Sequence, residues 1–584
     1  MVWKSRLPAL LCALILLLCV SAAYPVAEIG MVDDWSYVQS VRVLSQTGHI
    51  IYNGWATAML GWQLYLGALF ATLFGPSFTA IRMSTLLVAL VTAYFTQRTL
   101  MYAGINSRNA TIGTFALVLN PVFLPLALSF MSDVGGLFSI VLCFYACLRS
   151  LRAETVRGTL GWLAFAALSN AACGTVRQIA WLGVLVMFPC TIWILRRRPY
   201  VLVAGVFLYL ASVLFIFGAL HWFQQQPYSV PVSLFGGHLE RPNFVHMVSL
   251  FLRFFFVLAM YLTPFLLAFS VARSLRNRRA IGSIAGGGFL CMIAGLFLQH
   301  KHALTSWLAP FSVAGSYVSP GGLVDIMFLK GHHPIVLSPG MRVVVTGIVL
   351  LALLCSVTFI FFDRTSSQDV SRGVSTALPP VGWNQLLILL LPFTVAYFTL
   401  LIPFAVFITI YDRYAPPLIL VGIVLLVRLY QDRVKLHLPV LSVVLIVILA
   451  VFAVAGTHDA FSAYRARVAA IDELKAAGVP DSAVDGGFDY NGMTQLEHYE
   501  YVNDPRIRVP SNFRTLPAPV FPTNCTPEWE WLTPATHPGY ALSYDSSACG
   551  GSSGFSPISF HDWLGVHTVY VYIVKTSNGS LLQP

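Results

Sequence analysis

The chain has 584 residues and a net charge of +11, with 57% of its residues hydrophobic and only 10% charged. Soluble domains carry about 25% charged residues, so a soluble globular fold is excluded. A nucleic-acid partner is excluded too, because Lys and Arg fall in short clusters between apolar runs, the pattern of loops on the inner side of a membrane.

The first apolar segment, Leu7 to Ala23, follows Lys4 and Arg6, which hold the N-terminus inside. Its end, Ser21-Ala22-Ala23, has the small residues of a signal-peptidase site, yet with many apolar segments behind it the segment reads as an uncleaved anchor. Next comes Met31-Val-Asp-Asp-Trp-Ser-Tyr37. Adjacent carboxylates at the mouth of a span are costly without partners, which marks Asp33 and Asp34 as candidate site residues. The plainer alternative is helix capping, a common use of Asp. The apolar stretch Trp55 to Phe74 is rich in Trp, Tyr and Gln and is expected to lie along the outer surface rather than cross.

Spans are then expected near 78–97, 110–130, 134–150, 160–173, 178–195, 200–221, 248–271, 281–299, 343–362, 385–410, 415–430 and 437–455. With the first segment this makes about 13 crossings at roughly 20 residues each. That count puts every basic cluster inside and the C-terminus outside. It also gathers the reactive residues on the outer face. The first outer loop, 24–77, holds Asp33 and Asp34, and Asp133 sits in Phe130-Met-Ser-Asp-Val134. Arg177 lies in Gly174-Thr-Val-Arg-Gln178, and Arg413 and Tyr414 lie in Tyr411-Asp-Arg-Tyr-Ala-Pro-Pro417. Loop 223–247 adds His238, Glu240 and Arg241, and loop 300–342 adds His300, Lys301, His302, Asp325, Lys330, His332 and His333. These histidines lack the spacing of a third and fourth zinc ligand, so no metal is assigned.

Residues 456–584 are polar and rich in Gly, Pro and Ser, with His567 to Val574 alternating like a strand. The chain is therefore divided into a membrane module, 1–455, and a small extracytoplasmic α/β domain, 456–584. Eight of the ten cysteines fall in or beside spans, leaving Cys525 and Cys549 in the tail. A bond between them is expected in an oxidising compartment, and closing a loop of about 25 residues would stabilise the tail by about 3 kcal/mol. Asn524-Cys-Thr526 matches the glycosylation sequon, a short and unspecific pattern.

The order of these motifs resembles the GT-C superfamily of integral-membrane glycosyltransferases, in particular the protein O-mannosyltransferase and aminoarabinose lipid A transferase group. The likeness rests on Asp33-Asp-Trp-Ser-Tyr37, Leu73-Phe-Gly75, Arg82-Met-Ser84, Asn120-Pro-Val-Phe through Met131-Ser-Asp133, and Asp412-Arg-Tyr-Ala-Pro-Pro417. It is clearest over 28–150, looser to 430 and absent from the tail. Two departures stand out: Asp-Asp replaces the usual Asp-Glu, and Asn53-Gly-Trp-Ala replaces a Pro-Pro before the surface helix.

The resemblance implies a multi-pass protein of the plasma (inner) membrane with its site on the extracytoplasmic face. The implied donor is a sugar on a polyprenyl phosphate, hexose or pentose, transferred with inversion to a glycan, lipid or protein acceptor. Asp33 or Asp34 would be the general base, with Asp133 as a second acid. Inverting transfer needs one carboxylate facing the acceptor and cationic stabilisation of the leaving phosphate. The planar fork of arginine suits phosphate oxygens, which points to Arg413 and Tyr414, then Arg177. Snorkelling at a helix end is the plainer use of Arg413. Relatives differ over a divalent cation, so no cofactor is assigned. A transporter or flippase of lipid-linked saccharides is the alternative, though no internal repeat of the kind such proteins carry is visible. A scaffold that kept the fold without activity is a third.

Overall fold

The computed structural model describes residues 2–55, 58–230, 244–272, 282, 286–290, 292–295, 304–311, 316–324, 329–331, 334–362, 381–407, 409–499, 501–502, 525, 533 and 535–576. The architecture is a mainly α membrane bundle with a small C-terminal sheet.

The helices are α1 Val2–Ala23, α2 Asp34–Thr47, α3 Gly61–Phe74, α4 Phe78–Tyr102, α5 Ser107–Val118, α6 Phe123–Leu126, α7 Ser132–Leu151 and α8 Val156–Cys173. After a broken stretch come α9 Phe188–Leu195, α10 Pro199–Gln224, α11 Phe244–Ala272, α12 Pro339–Phe362, α13 Trp383–Phe407, α14 Pro416–Arg433, α15 Val440–Ala476 and α16 Phe488–His498.

Among the described residues, ten helices are long and apolar enough to cross a membrane, against the 13 expected. Three expected spans account for the difference. Span 110–130 breaks at Asn120-Pro121 into α5, of 12 residues, and the single turn of α6. Proline disfavours helical backbone in the residue before it, which ends the first piece there. Span 415–430 becomes α14, whose last two turns carry Arg428, Asp432 and Arg433. Span 281–299 lies largely outside the described residues.

Trp55 to Phe74 behaves as expected of a surface segment. Its helix α3 has 14 residues and spans about 21 Å, short of the roughly 30 Å hydrocarbon core. Tyr65, Leu69, Leu73 and Phe74 on one face are exposed, while Gly67 on the other meets Phe130 and Val41. A Cβ on Gly67 would come within 2.7 Å of the Phe130 ring, so only glycine lets α3 lie this close.

The centre of the bundle is α7, buried along nearly its whole length and packed on α4 and α8. Outer helices instead present Leu10, Leu14, Phe207, Leu210 and Leu214, surface that costs nothing in lipid.

Helix α15 carries the chain past residue 455 without a break, 37 residues in all. Before it, β1 Val318–Ser319 and β2 Gly322–Leu323 form a short antiparallel hairpin, and the tail forms β3 Val484–Asp485, β4 Tyr540–Ser543, β5 Ile558–Asp562 and β6 His567–Lys575 in the order β3-β4-β6-β5. The strand expected at His567 to Val574 is β6, which pairs antiparallel with both β4 and β5. Cys525 and Cys549 are bonded as expected, their Cα atoms 5.2 Å apart. Lys330 joins this sheet through Ser543: its backbone N–H donates to Leu542 and its carbonyl accepts from Tyr544.

Candidate active site

Asp33 and Asp34 open α2, and the fold gives them opposite surroundings. Asp34 is fully buried. Its Oδ2 accepts from Arg82 Nε at 2.8 Å and from the Phe130 backbone at 3.2 Å. Its Oδ1 accepts from the Met31 backbone at 2.6 Å and from Arg82 Nη2 at 3.1 Å. Arg82 spends its remaining donors on the carbonyls of Ala27 and Ile29. Every strong acceptor direction of Asp34 is occupied, so this carboxylate latches α2 to α4 and to the turn before α7.

Asp33 occupies the N-cap position, yet its side chain makes no capping hydrogen bond. Oδ1 instead accepts from Trp55 Nε1 at 3.1 Å, and Oδ2 pairs with Arg413 Nη1 at 3.0 Å. The Asp33 side chain keeps 20% of its exposure, against none for Asp34. The capping alternative therefore does not describe Asp33, and Arg413 is paired inward rather than snorkelling.

A second acid–arginine pair stands beside the first. Asp133 lies in the first turn of α7, where the helix dipole favours a negative charge, and it pairs with Arg177. Arg177 reaches it because the chain is not helical there. A 3₁₀ turn, Gly174–Val176, gives way to extended backbone at Arg177, then to a second 3₁₀ turn, Gln178–Trp181, and a π-turn, Gly183–Met187. Asn170 stabilises this break, its amide donating to the Ser139 and Ala180 carbonyls and its oxygen accepting from the Val184 backbone. Trp181 donates to the Ala171 carbonyl, and its ring lies where a Cβ on Gly174 would fall. Broken helices of this kind recur where a side chain must be aimed.

The two pairs share Tyr414. The Arg177 guanidinium sits 4.8 Å from the centre of the Tyr414 ring, and Arg413 lies 4.8 Å from Tyr411 and 5.9 Å from Tyr414. Tyr397 fixes the turn by donating to the Tyr414 carbonyl at 2.8 Å. Asp412 accepts from the backbones of Tyr317 and Val318 at 2.9 and 2.8 Å, tying loop 316–324 to the segment that bears Arg413. Burial pushes the Asp412 carboxyl up to about 6, and those backbone donors only partly offset it. Arg413 Nε is buried with no hydrogen-bond partner among the described residues.

Five of the six residues singled out from the sequence thus converge: Asp33, Asp133, Arg177, Arg413 and Tyr414. Asp34 adjoins them but faces away into the core. Lys330 lies by the C-terminal sheet, 3.5 Å from Asp485. His238, Glu240, Arg241, His300, Lys301, His302, Asp325, His332 and His333 lie outside the described residues. Among the described residues no group of three or more His, Cys, Asp or Glu could hold a metal ion. In the sequence Trp55 stands out only as an interfacial residue and Arg82 only within the motif Arg82-Met-Ser84. The local signal for Arg82 is an arginine in the second turn of a span that carries no other charge until Arg98, a position that calls for a buried partner.

No protein-family model matches the chain, and no curated protein matches it in sequence. Solved structures do overlap it. ArnT from Cupriavidus metallidurans aligns over 98% of this chain and 98% of its own, at 14% identity and a TM-score of 0.36. An oligosaccharyltransferase from Archaeoglobus fulgidus aligns over 87% of this chain and 61% of its own, at 13% identity and a TM-score of 0.38. The S. cerevisiae protein O-mannosyltransferase complex Pmt1-Pmt2, bound to its sugar donor, aligns over 37% of this chain at 14% identity and a TM-score of 0.30. The chain spans about a third of that mannosyltransferase chain, 32%. At TM-scores of 0.30 to 0.38 these overlaps carry no argument about this chain.

Proposed function

We propose that the chain is a glycosyltransferase that moves a sugar from a polyprenyl-phosphate donor to an acceptor at the extracytoplasmic membrane face. The observation that carries this reading is the Asp33–Arg413 pair, a partly exposed carboxylate held 3.0 Å from a guanidinium whose buried Nε has no partner among the described residues. One partner suits a base and the other suits a phosphate.

In this reading Asp33 takes the proton of an acceptor hydroxyl as the oxygen attacks the anomeric carbon. The bond from that carbon to the phosphate oxygen breaks on the opposite face, inverting the centre. The phosphate departs with the electron pair, and Arg413 and Arg177 stabilise its charge. Asp133 keeps Arg177 pointed at the site, and Tyr414 holds the two arginines apart by offering each its ring. No step is assigned to a metal.

Mass spectrometry of lipids that copurify with the chain tests the donor class, and a polyprenyl phosphate carrying a sugar is the expected finding. Arg413→Ala should weaken binding of undecaprenyl phosphate in nanodiscs by about 10–100-fold, the worth of one or two charge-assisted hydrogen bonds. Unchanged affinity would remove the phosphate from this site. Orientation is checked by cysteine labelling in intact cells. A cysteine placed near Asn106 should be shielded and one near Ser547 accessible, and equal labelling would contradict the proposed facing.

A further inference from the structure

We infer that Phe488, in the C-terminal tail, is a positioning residue for Asp33 and acts through Trp55. This deepens the transferase reading and rests on it for the role of Asp33.

Trp55 is the only described donor to Asp33 besides Arg413, and its ring is set by the tail. The Trp55 ring lies 4.8 Å from that of Phe488, and both lie 5.6 Å from the fully buried Trp35, two residues beyond Asp33. The three rings form a triangle, so Phe488 packs at once on the indole that touches the carboxylate and on the indole that follows Asp33 in α2. Contacts of this spacing are directional as well as apolar, so the ring restricts the tilt of Trp55 and hence the aim of its N–H.

Phe488 is itself fixed by hydrogen bonds on either side of it in the chain. Arg467 of α15, 1% exposed, makes a two-pronged pair with Asp489, the next residue, at 2.6 and 3.1 Å, and also donates to the Gly486 carbonyl. Gly487 between them has φ +100°, and a Cβ there would fall 2.7 Å from Arg467 Nη2, so the close approach requires glycine. Gly492, one turn on, lies flat on the Trp35 ring, where a Cβ would meet it at 2.7 Å. The far end of the same segment is also tied to the loop that bears Trp55. Val502 donates to the Asn53 carbonyl at 2.9 Å, and Asn53 exchanges hydrogen bonds with Ser36 of α2. Phe488 on Trp55 and Trp35, Gly492 on Trp35 and Val502 on Asn53 thus attach the tail around the two tryptophans nearest Asp33.

The experiment uses the full chain in nanodiscs with 5-fluorotryptophan incorporated, the Trp55 ¹⁹F resonance being identified by its loss in Trp55→Phe. In the parent, Asp33→Asn should shift this resonance, because the indole N–H changes acceptor from carboxylate to amide. In Phe488→Ala that response should be lost. Phe488→Leu, which keeps most of the bulk and serves if the alanine variant does not fold, should lose it as well, while Phe488→Tyr should retain it. A response that survives in the alanine or leucine variant overturns the inference, as does a parent resonance indifferent to Asp33→Asn. The resonance reads the clamp whether or not Asp33 is a base, so its failure is distinct from failure of the transferase reading, which the turnover of Asp33→Asn decides.

Discussion

Asp33→Asn is expected to lower sugar transfer by about 10²–10⁴-fold, the usual worth of a positioned general base. The amide keeps the size of the side chain and can still accept from Trp55, but it cannot take a proton. Binding of undecaprenyl phosphate should stay within a few-fold of the parent, because Arg413 keeps its charge and loses only its partner. The same exchange at Asp34 should act differently. It turns one of two oxygens facing four donors into an N–H₂ group pointed at a guanidinium or a backbone N–H. Asp34→Asn should therefore lower the melting temperature and reduce turnover only in proportion to the folded fraction. Transfer rates normalised to folded protein separate the two. Parent-rate transfer by Asp33→Asn would remove the base, and the flippase reading would then take precedence.

Arg82→Ala should be the most destabilising single change near the site, at about 3–5 kcal/mol, because it leaves the Asp34 carboxylate buried and uncompensated. It also strips the donors from the Ala27 and Ile29 carbonyls, which hold the chain leading from α1 into α2. Arg82→Lys should recover only part of the loss, since one ammonium cannot replace a fork that reaches four acceptors. Pairing Arg82→Met with Asp34→Leu should be milder than Arg82→Ala alone, as removing both charges leaves no orphan. The measurement is thermal unfolding in detergent followed by monodisperse size exclusion. A melting temperature for Arg82→Ala equal to that of the parent would mean that the latch contributes nothing to stability.

Much of the architecture can be read locally. Long apolar runs without charge have no option but helices in lipid, so ten of the thirteen expected spans coincide with helices of spanning length. The surface setting of α3, the β6 strand and the Cys525–Cys549 bond also follow from short-range pattern. Span 110–130 reads as continuous because hydropathy does not register how Asn120-Pro121 ends a helix.

Composition and segment hydropathy thus settle the class of the molecule and a shortlist of candidate residues, because burial of apolar surface and the cost of charge in lipid are properties of each segment alone. The sequence could not separate Asp33 from Asp34. Neighbours in sequence at the start of a helix point about 100° apart around its axis, and only the packing of α4, with Arg82 on it, decides which of them is buried. Nor could it join Arg413 to Asp33 across 380 positions, or bring Phe488 of the tail against Trp55. Those contacts exist because distant helices close on one another, and no local pattern in the chain encodes that closure.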